Sequence, residues 1–178
     1  MKNPLATSFG ILVFLIVTAF GTTVCYVSNG INTDSDEILK MTSQILPVRV
    51  PEGLEPVMSA NVLGAKIVVF EREGEGINHL SITKLPAKNI SKARSSWDSK
   101  IEQDWDKEGL EVTGEGVFHF TYNGNSQDAL YQDGIDESGA QVRSILMNFA
   151  VDEMNIGVFR LGPADQVTEA NFQKMLDG

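Results

Sequence analysis

From Phe9 to Val27 the chain carries no charged side chain, and the centre of this run reads Ile11-Leu12-Val13-Phe14-Leu15-Ile16-Val17. Few structures are open to such a stretch. As a helix rising ~1.5 Å per residue it spans about 28 Å, close to the hydrocarbon thickness of a bilayer. In lipid every backbone N–H and C=O must be paired within the segment, so a helix is favoured despite Gly10, Gly21 and the β-branched residues. The reading is a transmembrane anchor. The alternative is a cleaved signal peptide, with an apolar region from Ile11 to Phe20 and Ala19-Phe20-Gly21 as its small-x-small site. The apolar run continues through Thr22-Thr23-Val24-Cys25-Tyr26-Val27, and Tyr26 falls where an interfacial aromatic belongs, which favours the anchor. A lipid-modified Cys25 is disfavoured because Val24 precedes it where a small residue is wanted.

Charge gives the expected orientation. Lys2 is the only charged side chain before the run, whereas Asp34, Asp36 and Glu37 follow it. Positive residues stay in the cytoplasm, so the N-terminus is expected inside and the C-terminal part outside, on a periplasmic or extracellular side. Beyond the run lie all 24 acidic residues and 13 of the 14 basic ones, a net charge of −11. A surface of that sign repels nucleic-acid phosphates and anionic headgroups. Lys84, Lys88, Lys92 and Arg94 are too diluted to reverse it, so no nucleic-acid partner is expected. The only cysteine is Cys25, so the outer part has no disulfide and must rely on its core. That favours a bacterial exterior over a eukaryotic secretory route.

Three regions are expected: a cytoplasmic tip and anchor (1–27), a juxtamembrane linker with a short helix (28–46), and one extracytoplasmic domain (47–178). Asp34 or Ser35 caps a helix over Asp36 to Gln44, with Ile38, Met41 and Ile45 on one face, and Pro47 stops it. The hydrophobic period then becomes two. Val57 to Leu63, Ala65 to Arg72 and Ile77 to Lys84 read as strands, with turns at Gly64 and at Glu73-Gly74-Glu75-Gly76. Ser91 opens a helix whose stripe is Ile90, Ala93, Trp97, Ile101 and Trp105, ending at Gly109. Four further strands follow: Glu115 to Tyr122, Gln127 to Asp133, Ala140 to Val151 and Met154 to Leu161. A final helix runs from Asp165 to Leu176. The fold expected is α+β: an N-terminal transmembrane helix, then one antiparallel sheet of about six or seven strands covered by two helices.

Several phrases have a familiar order. Val50-Pro51-Glu52-Gly53-Leu54 opens the domain, followed by the hairpin through Phe70. After the Trp97 helix come Gly116-Val117-Phe118-His119-Phe120-Thr121-Tyr122 and Gly139-Ala140-Gln141-Val142-Arg143, then a last strand and helix. Over roughly Pro47 to Gly178 this resembles the PsbP-like fold family of extrinsic photosystem proteins and their bacterial periplasmic or membrane-tethered relatives. The resemblance implies an accessory or binding role without established catalysis.

The residues themselves select no chemistry. A Ser-His-Asp site needs a histidine, and only His79 and His119 exist, both in expected strands and without a Gly-x-Ser-x-Gly turn. They form a metal pair only if their strands adjoin, and then still lack a third ligand. If Phe118 and Phe120 face the core, His119 faces solvent; if not, it is a satisfied core histidine. Asn123-Gly124-Asn125-Ser126-Gln127-Asp128 and Asp133-Gly134-Ile135-Asp136-Glu137 are oxygen-rich but lack the calcium-loop ladder. Glu71-Arg72-Glu73-Gly74-Glu75-Gly76 has the glycines of a phosphate cradle without its lysine. Accordingly no catalytic, metal or cofactor-binding residue is assigned. The function expected is a membrane-anchored, extracytoplasmic binding or accessory module for a protein partner, touching the membrane through Phe9 to Val27. The alternative is a divalent-cation-binding protein or hydrolase that uses surface carboxylates with His79 or His119.

Overall fold

The computed structural model of the protein describes residues 30–62, 64–72, 77–86 and 110–178. Its strands are β1 (Ile31–Asn32), β2 (Glu55–Val62), β3 (Ala65–Glu71), β4 (His79–Pro86), β5 (Glu111–Tyr122), β6 (Asn125–Ile135), β7 (Gln141–Val151) and β8 (Met154–Pro163). Two helices, α1 (Ser35–Ile45) and α2 (Glu169–Leu176), complete the described elements.

Turn chemistry sets the hairpins. Between β5 and β6 only Asn123 (φ 50°) and Gly124 (φ 76°) lie outside the ladder, which closes on Tyr122 opposite Asn125. Two successive positive φ values make the primed turn whose twist matches that of the strands it joins. Asp152 (φ 55°) opens the equally tight β7–β8 turn.

All eight strands form one antiparallel sheet in the order β1-β2-β3-β4-β8-β7-β6-β5. Two four-stranded meanders therefore meet at a β4–β8 seam, where Ile82 lies opposite Val158 and Leu80 opposite Arg160. Alternation assigns Val68, Phe70, Leu80, Ile82, Phe120, Ala129, Ile145, Met147, Phe149, Ile156 and Val158 to one face, and all are buried. Ile38 and Ile45 from α1, with Phe172, Met175 and Leu176 from α2, close over that face. Burying each such large side chain stabilises by about 1.5–3 kcal/mol. The opposite face holds two smaller clusters, one around Met58, Ala60 and Val69, the other around Val142 and Leu161.

The helices start where side chains can accept their first N–H groups. The Asp34 carboxylate accepts from Glu37 N–H at 3.1 Å, and the Thr168 hydroxyl from Asn171 N–H at 3.2 Å. At its other end α1 stops when Leu46 N–H closes on the Thr42 carbonyl, and Pro47 cannot extend it. The stretch that separates Gly30 from Leu46 is integrated in the domain: β1 pairs with β2, and Ile38 is wholly buried.

Two expectations are corrected. The α+β architecture with six or seven strands gives way, among the described residues, to eight strands in one sheet with two short helices. Ile31-Asn32 adds the eighth strand, which two residues cannot announce by periodicity, and the last helix is four residues shorter than expected because Thr168 caps it. The single-pass topology, with its cytoplasmic N-terminus and outward domain, is likewise corrected. Among the described residues no helix is long and apolar enough to cross a membrane. The longest, α1, has 11 residues, against the roughly 20 that a bilayer requires. The expected span from Phe9 to Val27, the turn at 73–76 and the Trp97 helix lie outside the described residues.

Candidate functional site

At the β5 end of the sheet the helix-covered face carries side chains that core packing alone does not demand. Gly116 lies opposite Tyr131, and Asp133 lies opposite Arg143, across the β5–β6 and β6–β7 ladders. Because Gly116 has no Cβ, the Tyr131 ring can lie over β5; a Cβ there would be 2.7 Å from ring atoms. Tyr131 then stacks on Phe118, with centroids 4.3 Å apart and planes 17° from parallel. The Arg143 guanidinium sits 5.3 Å from the Tyr131 centroid and 5.6 Å from that of Phe118. Asp133 holds it from the side: Arg143 Nε donates to Oδ1 at 2.6 Å and Nη2 to Oδ2 at 3.0 Å. That hydrogen bonding raises the Arg143 pKa, so its charge is fixed.

The result is a shelf of two stacked rings with an arginine clamped beside them, all half-buried. Inward, Phe118 meets Phe120 edge-on, and Phe120 meets Phe172 of α2, so the shelf is anchored in the core. An aromatic pair contributes about 0.5–1.5 kcal/mol beyond area burial, and a cation over a ring adds a further increment. The charge on Arg143 is balanced by Asp133, which leaves the rings as the adhesive part.

The two histidines are placed on the opposite face, and each has one carboxylate. His79 Nδ1 lies 3.3 Å from Glu71 Oε1, its directly opposite cross-strand partner, with Phe159 against the ring at 6.0 Å. His119 Nδ1 lies 2.8 Å from Asp128 Oδ1, again directly opposite, and both side chains are about 70% exposed. Three strands separate β4 from β5, a span of about 19 Å at the usual strand spacing. The histidines therefore cannot share a metal ion. Among the described residues no group of three His, Cys, Asp or Glu could hold one.

The oxygen-rich turn at 133–137 is structural. Asp136 Oδ1 accepts from the Ser138 hydroxyl at 2.6 Å and from the N–H groups of Ser138 and Ala140 at 2.9 Å. The Ser138 hydroxyl, then the Ala140 N–H, hold the Asp136 carboxyl below its ordinary pKa. This carboxylate is occupied in shaping the β6–β7 turn. Asp34 is occupied as a helix cap. Arg160, buried opposite Leu80, donates to the His79 carbonyl at 2.9 Å and thereby ties the start of β4 to the end of β8. Burial, with the Arg72 charge second, pushes its pKa down to about 10, so it remains charged at neutral pH.

The sequence puts Phe118 and His119 on opposite faces without deciding which is the core, and it does not show Tyr131, Arg143, Asp133 and Gly116 as a unit. The signal that joins them is register: opposite charges at Asp133 and Arg143, and a glycine against a tyrosine, meet only once three strands are aligned. No protein-family model matches the chain, and no curated protein matches it.

Proposed function

We propose that this chain is a binding or accessory module for a protein partner, engaged through the Phe118–Tyr131–Arg143 shelf. The observation that carries the reading is the stacked Tyr131–Phe118 pair with Arg143 fixed beside it, half-buried and continuous with the core. Tyrosine, other aromatics and arginine are the residues enriched where proteins bind one another, because rigid rings bury area at little entropic cost. The resemblance to the PsbP-like family supports the same role. The cation-site or hydrolase alternative needs a histidine and at least two carboxylates converging in a pocket, whereas His79 and His119 each meet one.

The test is site-directed photo-crosslinking in the native host. A photoreactive phenylalanine analogue is placed at Tyr131 and, as a control, at the exposed Glu153. A discrete adduct with another protein at Tyr131, absent at Glu153 and abolished by Arg143→Ala, is the expected result. Adducts of equal yield at both positions would sink the reading.

A further inference from the structure

Among the described residues the β5 edge is open over a short window whose limits can be read from the structure. Gln173 of α2 lays its carboxamide along this edge: Thr121 N–H donates to Oε1 at 2.9 Å, and Nε2 donates to the Thr121 carbonyl at 2.9 Å. The Thr121 peptide groups therefore point away from β6. The turn gives the same phase independently. A two-residue hairpin makes Tyr122 and Asn125 its hydrogen-bonded pair, and antiparallel pairs alternate from there. His119, Val117 and Glu115 share the phase of Thr121 and present their own N–H and C=O outward. Gln173 blocks the edge at Thr121, and a bulge between Val112 and Gly114 breaks the alternation at the other end. Three outward residues remain, centred on Val117.

This window is accessible. Glu115, Val117 and His119 are exposed, Val117 to 47%, and its cross-strand neighbour Leu130 to 53%. Gly114 and Gly116 are partly exposed too, and a glycine's exposure is that of its backbone. No other strand among the described residues pairs with β5 on this side.

We propose that β5 pairs antiparallel with β5 of a second copy of this chain, about a two-fold axis at Val117. Outward residues must meet outward residues, and only an axis at Val117 pairs all three of them: Val117 faces its own copy and Glu115 faces His119 of the second copy, twice. Between them Gly116 faces Phe118 of the second copy, twice. The Glu115–His119 pairing is the complementary one. With both ring nitrogens protonated, His119 donates Nδ1–H to Asp128 and has Nε2–H left to donate to the Glu115 carboxylate of the second copy. Gly116, already covered by Tyr131 of its own chain, sets no side chain against that Phe118. An axis at Glu115 would set that carboxylate against itself, which is unfavourable for directly opposed residues. The surface is self-complementary, as a closed two-fold contact requires. It joins the two shelves across the axis, although it rests on the edge of β5 and not on the shelf's role.

Sedimentation velocity of the full-length chain across a concentration series, with Cys25→Ser as background, tests the proposal. The expected result is a reversible monomer–dimer equilibrium. Val117→Lys places like charges on the axis and should weaken it by at least about tenfold without moving the thermal unfolding midpoint. Hydrogen-bonded antiparallel pairs hold their Cα atoms about 5.5 Å apart, within disulfide reach. Val117→Cys should therefore crosslink to a covalent dimer under mild oxidation, while Leu130→Cys, one strand inward, should not. A chain that stays monomeric throughout overturns the proposal. So does a Leu130→Cys variant that crosslinks as readily as Val117→Cys, or association that grows past the dimer. Should Val117→Lys fail to fold, the cysteine pair still decides.

Discussion

Gly116 has no space for a side chain, and the reason is Tyr131 and not the backbone. Its φ is not in the left-handed region, whereas a Cβ would meet the tyrosine ring at 2.7 Å. Gly116→Ala should lift Tyr131 off Phe118 and cost about 1–3 kcal/mol by overpacking. In a Tyr131→Ala background the same substitution should cost far less, because the ring it strikes is gone. Urea denaturation of the four proteins of this cycle gives the coupling directly, and its absence would show that the ring is not held by the glycine. The phrase Gly116-Val117-Phe118 was visible in the sequence, but its significance was not. A glycine in a strand announces a close approach without naming what approaches. The histidines are the converse case. Alternation placed His119 on the solvent face once Phe118 and Phe120 were taken inward, and its side chain is 70% exposed.

Among the elements, strands of strong alternation were legible to within a few residues: Ala65–Glu71 and Met154–Pro163 differ from expectation by one or two at one end. Glu111 to Gly114 was missed at the start of β5 because a bulge there spoils the period of two. The closure of the β5 edge by α2 was wholly hidden, since Gln173 and Thr121 are 52 residues apart. Gln173→Ala should leave both Thr121 peptide groups to water and cost about 1 kcal/mol, as exposed hydrogen bonds contribute little net. Amide hydrogen exchange provides the reading. Thr121 N–H should exchange faster, while Phe118 and Phe120 N–H, bonded inward to β6, should keep their protection. Unchanged exchange at Thr121 would mean that the carboxamide does not guard this edge.

Over the whole molecule the decisive feature is the β4–β8 seam. β2–β4 and β5–β8 each pair consecutive strands, but only this long-range antiparallel pairing makes one sheet of the two. Val158 lies on the seam and is wholly buried, opposite Ile82. Val158→Ala should cost about 2–3 kcal/mol through lost burial and a residual cavity. Hydrogen exchange near the unfolding midpoint should show β2–β4 and β5–β8 losing protection together, as one cooperative unit. Separate transitions for the two meanders would show that the seam does not couple them.

Local chemistry in the sequence determined the hairpin turns, the helix caps at Asp34 and Thr168, and the alternation that sorts each strand into a buried and an exposed face. These depend on residues within a few positions of one another, where backbone sterics and short-range hydrogen bonds decide. It also determined that the chain is strongly acidic and carries a single cysteine. Only the tertiary structure decided that β4 pairs with β8, that a two-residue strand joins the edge, and that the described residues are mostly β. It alone brought Gly116, Phe118, Tyr131, Asp133 and Arg143 into one shelf and kept His79 and His119 apart. Pairing partners in a sheet are chosen by the burial of whole faces, a property of the assembled core that no short stretch of the sequence contains.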